Sequence, residues 1–230
     1  MGMLVIVQND PEVPVGAFAD YLVATGVPFR LVRAYAGEAL PTVDETAALI
    51  MLGGAMGVGD TAAFPFLGAV KECIRQQVAA ARPFLGICLG GQLLADQLGA
   101  PVTSGSHGEH GPFPVELTPA GLADRLFAGI TSPFRTFQWH NDTFAIPTGA
   151  VLLASSAACS HQAFRYGPAA YGLQFHPEVD AGIVASWARS DGEQAESVAR
   201  LLADFAAAEA DYRAAAERLL ANFLGIAGLH

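Results

Sequence analysis

The sequence predicts an α/β fold: a doubly wound, mostly parallel open sheet with an added antiparallel section and a helical C-terminal tail. Three observations carry this expectation. Up to Pro101, short apolar runs alternate with amphipathic stretches, the pattern of strands buried on both faces and joined by crossover helices. The middle of the chain then breaks into brief strand-like runs punctuated by Gly and Pro, which suits antiparallel pairing. The final stretch keeps one apolar face at helical spacing.

Each element follows from its pattern. Leu4–Val7 reads as a first buried strand and Gly16–Thr25 as a helix with Phe18, Leu22 and Val23 on one side. Phe29–Val32 and Ala48–Leu52 read as the next two strands, the latter ending at Gly53-Gly54. Over Phe66–Ala81, Leu67, Val70, Cys73, Ile74 and Val78 recur at helical spacing. Phe84–Ile87 reads as a strand that runs directly into a helix near Leu89–Leu98, stopped by Gly99 and Pro101. Phe113–Leu117, Phe134–Phe137, Val151–Ala154, Ala163–Tyr166 and Tyr171–Phe175 are the short runs of the added section. In Glu193–Leu224, the residues Val198, Leu201, Leu202, Phe205, Tyr212, Leu219 and Phe223 share a face, as one helix or two. The expected organisation is one α/β domain over residues 1–190, with a helical extension over 191–230 packed on it.

Composition narrows the function. With 230 residues, 52% of them hydrophobic, the chain can bury a full core, which excludes disorder. Twelve basic against 22 acidic residues give a net charge of −10, which argues against nucleic acid or an anionic membrane surface as partner. Three widely spaced cysteines do not form a disulfide framework and suit a reducing cytoplasm. The start MGMLVIVQND lacks the basic region of a signal peptide, and no apolar run is long enough to span a bilayer. A cytoplasmic protein, off the membrane, is expected.

The informative segment is Gly86-Ile87-Cys88-Leu89-Gly90-Gly91-Gln92. A buried strand ends, a helix begins, and one reactive side chain sits at the turn with glycines two residues to either side, a nucleophile elbow with Cys in place of Ser. Gly86 and Gly90 let strand and helix approach closely. The positive end of the helix macrodipole favours a thiolate at Cys88. The Leu89 N–H at the helix start can meet a developing oxyanion. Gln92 lies over the same helix face and offers an amide to a substrate. Cys73 sits on the apolar face of its helix and Cys159 in a Ser/Ala-rich run; both read as small buried hydrophobes.

A thiol nucleophile needs a base. Tyr171-Gly172-Leu173-Gln174-Phe175-His176-Pro177-Glu178 delivers His176 at a strand end, with Glu178 two residues on and facing the same way in extended chain. Glu178 can take a hydrogen bond from one ring nitrogen while the other faces Cys88, fixing the tautomer and stabilising the imidazolium. A second oxyanion donor is offered by Gly53-Gly54-Ala55-Met56-Gly57, with the Gly54 N–H the choice. The rival reading of those glycines, a phosphate loop, lacks its lysine and its spacing. His107-Gly108-Glu109-His110 has metal-ligand residue types but no helical framing, so a solvated loop is preferred to a metal. His140 with Asp142 is a rival base pair, weighed below a loop beside the site in which His140 shapes the substrate pocket.

Together, Gly53-Gly54, the Cys88 elbow through Gln92, and Gln174-Phe175-His176-Pro177-Glu178 resemble the class I, triad-type glutamine amidotransferases, over roughly Leu4 to Ala185. Trp139-His140-Asn141-Asp142-Thr143-Phe144 and His161-Gln162-Ala163-Phe164-Arg165-Tyr166-Gly167 look like a stand-alone branch similar to the glutaminase half of GMP synthase. The resemblance implies a flavodoxin-like open sheet. It implies thioester chemistry on glutamine with Cys88, His176 and Glu178 as triad and the Gly54 and Leu89 N–H groups as oxyanion hole. Gln92, Gly53 and His140 would meet substrate, and no cofactor or metal is implied. Ala55 departs from the Pro of many members, and the chain leaves no room for a fused synthase domain, so a separate synthase subunit would receive the ammonia. The alternative is a stand-alone γ-glutamyl amide or peptide hydrolase or transferase using the same triad. A binding module that had lost activity would not need Cys88, His176 and Glu178 intact.

Overall fold

A computed structural model describes residues 2–105 and 108–229. In chain order its elements are β1 (Met3–Gln8), α1 (Ala17–Thr25), β2 (Phe29–Arg33), β3 (Thr46–Met51), α2 (Phe66–Ala79), β4 (Phe84–Ile87), α3 (Leu89–Gln97), β5 (Val102–Thr103), β6 (Glu109–Leu117), α4 (Pro119–Leu122), β7 (Phe134–His140), β8 (Thr143–Phe144), β9 (Val151–Ser155), β10 (Ala163–Tyr166), β11 (Ala170–Leu173), α5 (Ala181–Ser190) and α6 (Ala195–Ala227).

Nine strands form one sheet in the order β2-β1-β3-β4-β11-β10-β9-β6-β7, and β5 pairs with β8 separately. The five strands from β2 to β11 are parallel to their neighbours, and the added section from β10 to β7 is antiparallel. This is the flavodoxin-like arrangement, with the antiparallel strands attached beyond its last parallel strand.

Period-two alternation in the parallel strands builds two cores. Leu4, Ile6, Ile50 and Ile87 face α1, α5 and α6, packing with Phe18, Ile183, Phe205 and Phe223. Val5, Val7, Leu49, Met51 and Phe84 face α2 and α3, packing with Leu67, Ile74 and Leu93. Local signals set the helix ends. The Asp180 carboxylate accepts the Ile183 N–H at the start of α5, and Gly228 in the left-handed region (φ 69°) closes α6.

The C-terminal stretch, open in sequence between one helix and two, is one 33-residue helix, α6, preceded by a separate α5. Two strands differ from expectation. β6 begins at Glu109 rather than Phe113, because Glu109 and His110 pair with His140 and Trp139 of β7. β11 ends at Leu173, where its partner β4 also ends. The chain beyond it turns so that the His176 N–H donates to the Phe137 carbonyl of β7 at 2.8 Å.

The register determines where the site lies. Met51 pairs with Gly86, and Ile87 with Leu173, so β3, β4 and β11 release their chains at one level on one edge. Among the described residues, no helix is long and apolar enough to cross a membrane.

Candidate active site

Cys88 links β4 to α3 with φ 49° and ψ −111°, a sparsely populated conformation for a residue with a Cβ that costs about 1–3 kcal/mol. Three glycines permit the turn. A Cβ on Gly86 would lie 2.4 Å from the Gly90 carbonyl oxygen, and one on Gly90 would lie 2.2 Å from that of Met51. A Cβ on Gly91 would lie 2.6 Å from that of Leu173. Gly90 and Gly91 are therefore demanded by the strands on either side, β3 and β11, and not only by the elbow itself. Leu89 is the first residue of α3, so its N–H has no acceptor within the helix.

β11 runs beside β4, and this adjacency brings together residues 88 positions apart in sequence. The Cys88 N–H donates to the Leu173 carbonyl at 2.8 Å, and three residues later His176 enters the space over Cys88. His176 Nδ1 lies 2.7 Å from Glu178 Oε1. His176 and Glu178 are 2% and 0% exposed, against 7% for Cys88. Burial alone pulls the imidazolium down; the charges of Glu178 and Cys88 and hydrogen bonds to both overcome it and push the His176 pKa up to about 10.

Gly53 lies behind this pair: a Cβ there would come within 3.1 Å of His176 Cε1 and 3.4 Å of Cys88 Cβ. Gly54 lines the cavity in front. Asp10, on the loop after β1, accepts the Ala55 N–H at 3.0 Å and ties the Gly-Gly turn to the neighbouring strand. Ala55 thus contributes an N–H that a Pro at this position would lack.

Cys88 and His176 open on a cavity of about 360 Å³, within the range of small-molecule sites. Gln92 and His140 line it as well. The Gln92 amide donates to the Asp142 carbonyl at 3.2 Å and lies 3.4 Å from Gln174 Oε1. His140 Nδ1 lies 3.1 Å from the backbone carbonyl of Asp142, not its carboxylate, so the rival His140–Asp142 base pair does not form.

The solvated-loop expectation for the histidine segment needs correction. His107 lies outside the described residues, but Glu109 is buried on β6 and accepts from Ser156 Oγ at 2.9 Å and Gln162 Nε2 at 2.6 Å. His110, on the opposite strand face, stacks on Trp139 at 4.7 Å. Among the described residues, Glu109, His140 and Cys159 have donor atoms within 4.8 Å of one another. The other two thiols are enclosed: burial pushes Cys73 up to about 11 and also raises Cys159.

The turn carrying Glu178 has two supports that sequence reasoning missed. A Cβ on Gly16 (φ 57°) would lie 2.1 Å from the Glu178 carbonyl oxygen, which accepts the Ala17 N–H at 2.8 Å. The Tyr212 hydroxyl of α6 lies 3.1 Å from the His176 carbonyl and 3.0 Å from that of Val179. Trp187 was missed too; its ring meets His176 edge-on at 4.8 Å.

A flavodoxin-like sheet that gathers a thiol, an imidazole and a carboxylate at the carboxyl ends of adjacent parallel strands defines an α/β protein with its site on the sheet edge. The chain belongs to the class-I glutamine amidotransferase family, whose model matches residues 15–184. Its curated relatives include the glutamine amidotransferase-like protein YfeJ of Salmonella typhimurium, 38% identical over 71% of this chain and 70% of that one. A subunit of the glutamine-hydrolyzing GMP synthase of Thermoplasma acidophilum is 34% identical over 57% of this chain and 63% of its own. A solved glutamine amidotransferase from Thermotoga maritima superposes with a TM-score of 0.88 at 30% identity, covering 97% of this chain and 98% of that one.

Proposed function

We propose that the protein is a cysteine-dependent amidohydrolase that cleaves the side-chain amide of glutamine, or a related γ-glutamyl amide, through a cysteinyl thioester. One observation carries the reading: Cys88 and His176 share one cavity, with the Glu178 carboxylate 2.7 Å behind the imidazole.

In this scheme the Cys88 sulfur bonds to the γ-carbonyl carbon, and the Gly54 and Leu89 N–H groups hold the oxyanion. Donors of this kind are worth about 2.7–4 kcal/mol each in comparable sites. As the tetrahedral adduct collapses, the C–N bond breaks and His176 gives its proton to the departing nitrogen. His176 then takes a proton from water, which attacks the thioester; the S–C bond breaks and glutamate leaves. Gln92 and His140 contact substrate along the cavity wall, while Gly53 keeps the space behind sulfur and imidazole clear. These steps require no cofactor or metal. Three free cysteines fit a reducing, cytoplasmic setting.

The likeness to the Thermoplasma GMP synthase protein supports a version in which ammonia passes to a separate synthase partner. A stand-alone γ-glutamyl hydrolase is the second reading, and the charge of the cavity favours it. The common chemistry is tested by Cys88→Ala: release of glutamate from glutamine and γ-glutamyl amides should fall by roughly 10⁴-fold or more. Unchanged turnover by this variant would remove Cys88 from the scheme.

A further inference from the structure

The leaving side of the cavity is built for a positive charge. The departing nitrogen must lie beside His176, which protonates it, and the wall next to His176 is Trp187. Trp187 Nε1 donates to the Glu12 carbonyl at 2.6 Å, and the Glu12 carboxylate accepts from Ser186 Oγ at 3.3 Å, so Glu12 is held against this wall. Trp187 belongs to the last turn of α5, and Asp191 caps that helix while lining the same cavity. The negative end of the α5 macrodipole is therefore presented here. Trp139 completes the wall, its ring 6.3 Å from that of Trp187 at an angle of 44°.

Two carboxylates and a helix C-terminus favour a cation, and the Trp139 and Trp187 rings line the same cavity beside them. Asp10 and Asp142 also line the cavity, and no Lys or Arg does so among the described residues. Ammonia would leave this wall unused. A leaving group with a free carboxylate, as in a dipeptide, would face Glu12 and Asp191 with no Lys or Arg among the described lining residues to offset them.

We propose that the substrate is a γ-glutamyl amide whose leaving amine carries a second, positively charged amine, a diamine or polyamine, held by Glu12 and Asp191 against Trp187 and Trp139. This rests on the triad reading above and narrows its substrate. The γ C–N bond breaks, the released nitrogen takes the His176 proton, and water consumes the thioester, giving glutamate and the free diamine.

The test compares glutamine with three amides of glutamate: γ-glutamylputrescine, its neutral counterpart γ-glutamyl-n-pentylamide, and the acidic γ-glutamyl-5-aminopentanoate. The putrescine amide should show a kcat/KM about 10-fold or more above the neutral and acidic amides. In the Glu12→Gln/Asp191→Asn double variant, the ratio of charged to neutral amide should fall toward one. Equal or better use of the neutral or acidic amide, or a ratio unmoved by the double variant, would overturn the proposal. Cys88-dependent cleavage of glutamine without that of the putrescine amide would sink it while leaving the triad reading in place. Cleavage of none of the four above the Cys88→Ala level would remove both.

Discussion

His176 keeps a proton in the folded protein that a free imidazole would release near pH 6.5. Its burial opposes this, and the Glu178 and Cys88 contacts overcome the burial to push the pKa up to about 10. A raised folded pKa binds protons that the unfolded chain has lost. The resulting stabilisation is complete below pH 6.5 and disappears as pH rises through about 10. Glu178→Gln removes the larger of the two favourable charges and leaves desolvation, which lowers the pKa. Urea unfolding of both proteins from pH 6 to 10 should show wild type losing stability relative to Glu178→Gln across that window. Parallel profiles would show that the His176–Glu178 contact is not an ion pair. The meeting of Cys88, His176 and Glu178 was legible in sequence because Glu178 follows His176 by two residues and the glycines flank Cys88. Glu12, Trp187 and Asp191 were not, since an exposed acid and a Trp on a helix look the same whether or not a cavity opens between them.

The His-Pro-Glu turn depends on two helices remote from it in sequence. The Ala17 N–H at the start of α1 holds the Glu178 carbonyl, and Tyr212 of α6 reaches carbonyls 36 and 33 residues earlier. Burial raises the Tyr212 pKa well above that of a free phenol, so its hydroxyl remains a donor. Tyr212→Phe preserves the ring's packing against Phe205 and deprives buried carbonyls of this donor, a loss of about 1–3 kcal/mol. Urea midpoints should record that loss. A positioning role further predicts a lower kcat with little change in KM, because His176 shifts without the substrate wall moving. A stability loss with kcat intact would reduce Tyr212 to a core residue. Its face on α6 was readable from the apolar spacing; the hydroxyl's partners were not, because periodicity reports which side is buried and not what a polar tip meets there.

Across the whole molecule, alternation of strand and helix announced the parallel sheet, but not its order. That order puts β11 beside β4 although β5 to β10 intervene in the chain, and only the paired register turns separate motifs into one site. The extension over 191–230 is likewise understood best through its packing. Phe205, Tyr212, Leu219 and Phe223 of α6 join the same core as Leu4, Ile6 and Phe137. Full burial of such side chains stabilises by about 1.5–3 kcal/mol each, so these four together approach the roughly 5–15 kcal/mol by which a domain is stable. The extension should therefore behave as part of one cooperative unit. A chain ending at Gln194 would expose Phe137 and leave the His176 turn without Tyr212; its circular dichroism should show no cooperative thermal transition, whereas the full chain melts in a single step. A truncated chain that melts sharply near the full-length temperature would instead make α6 an accessory and return the stability of the site to the sheet alone.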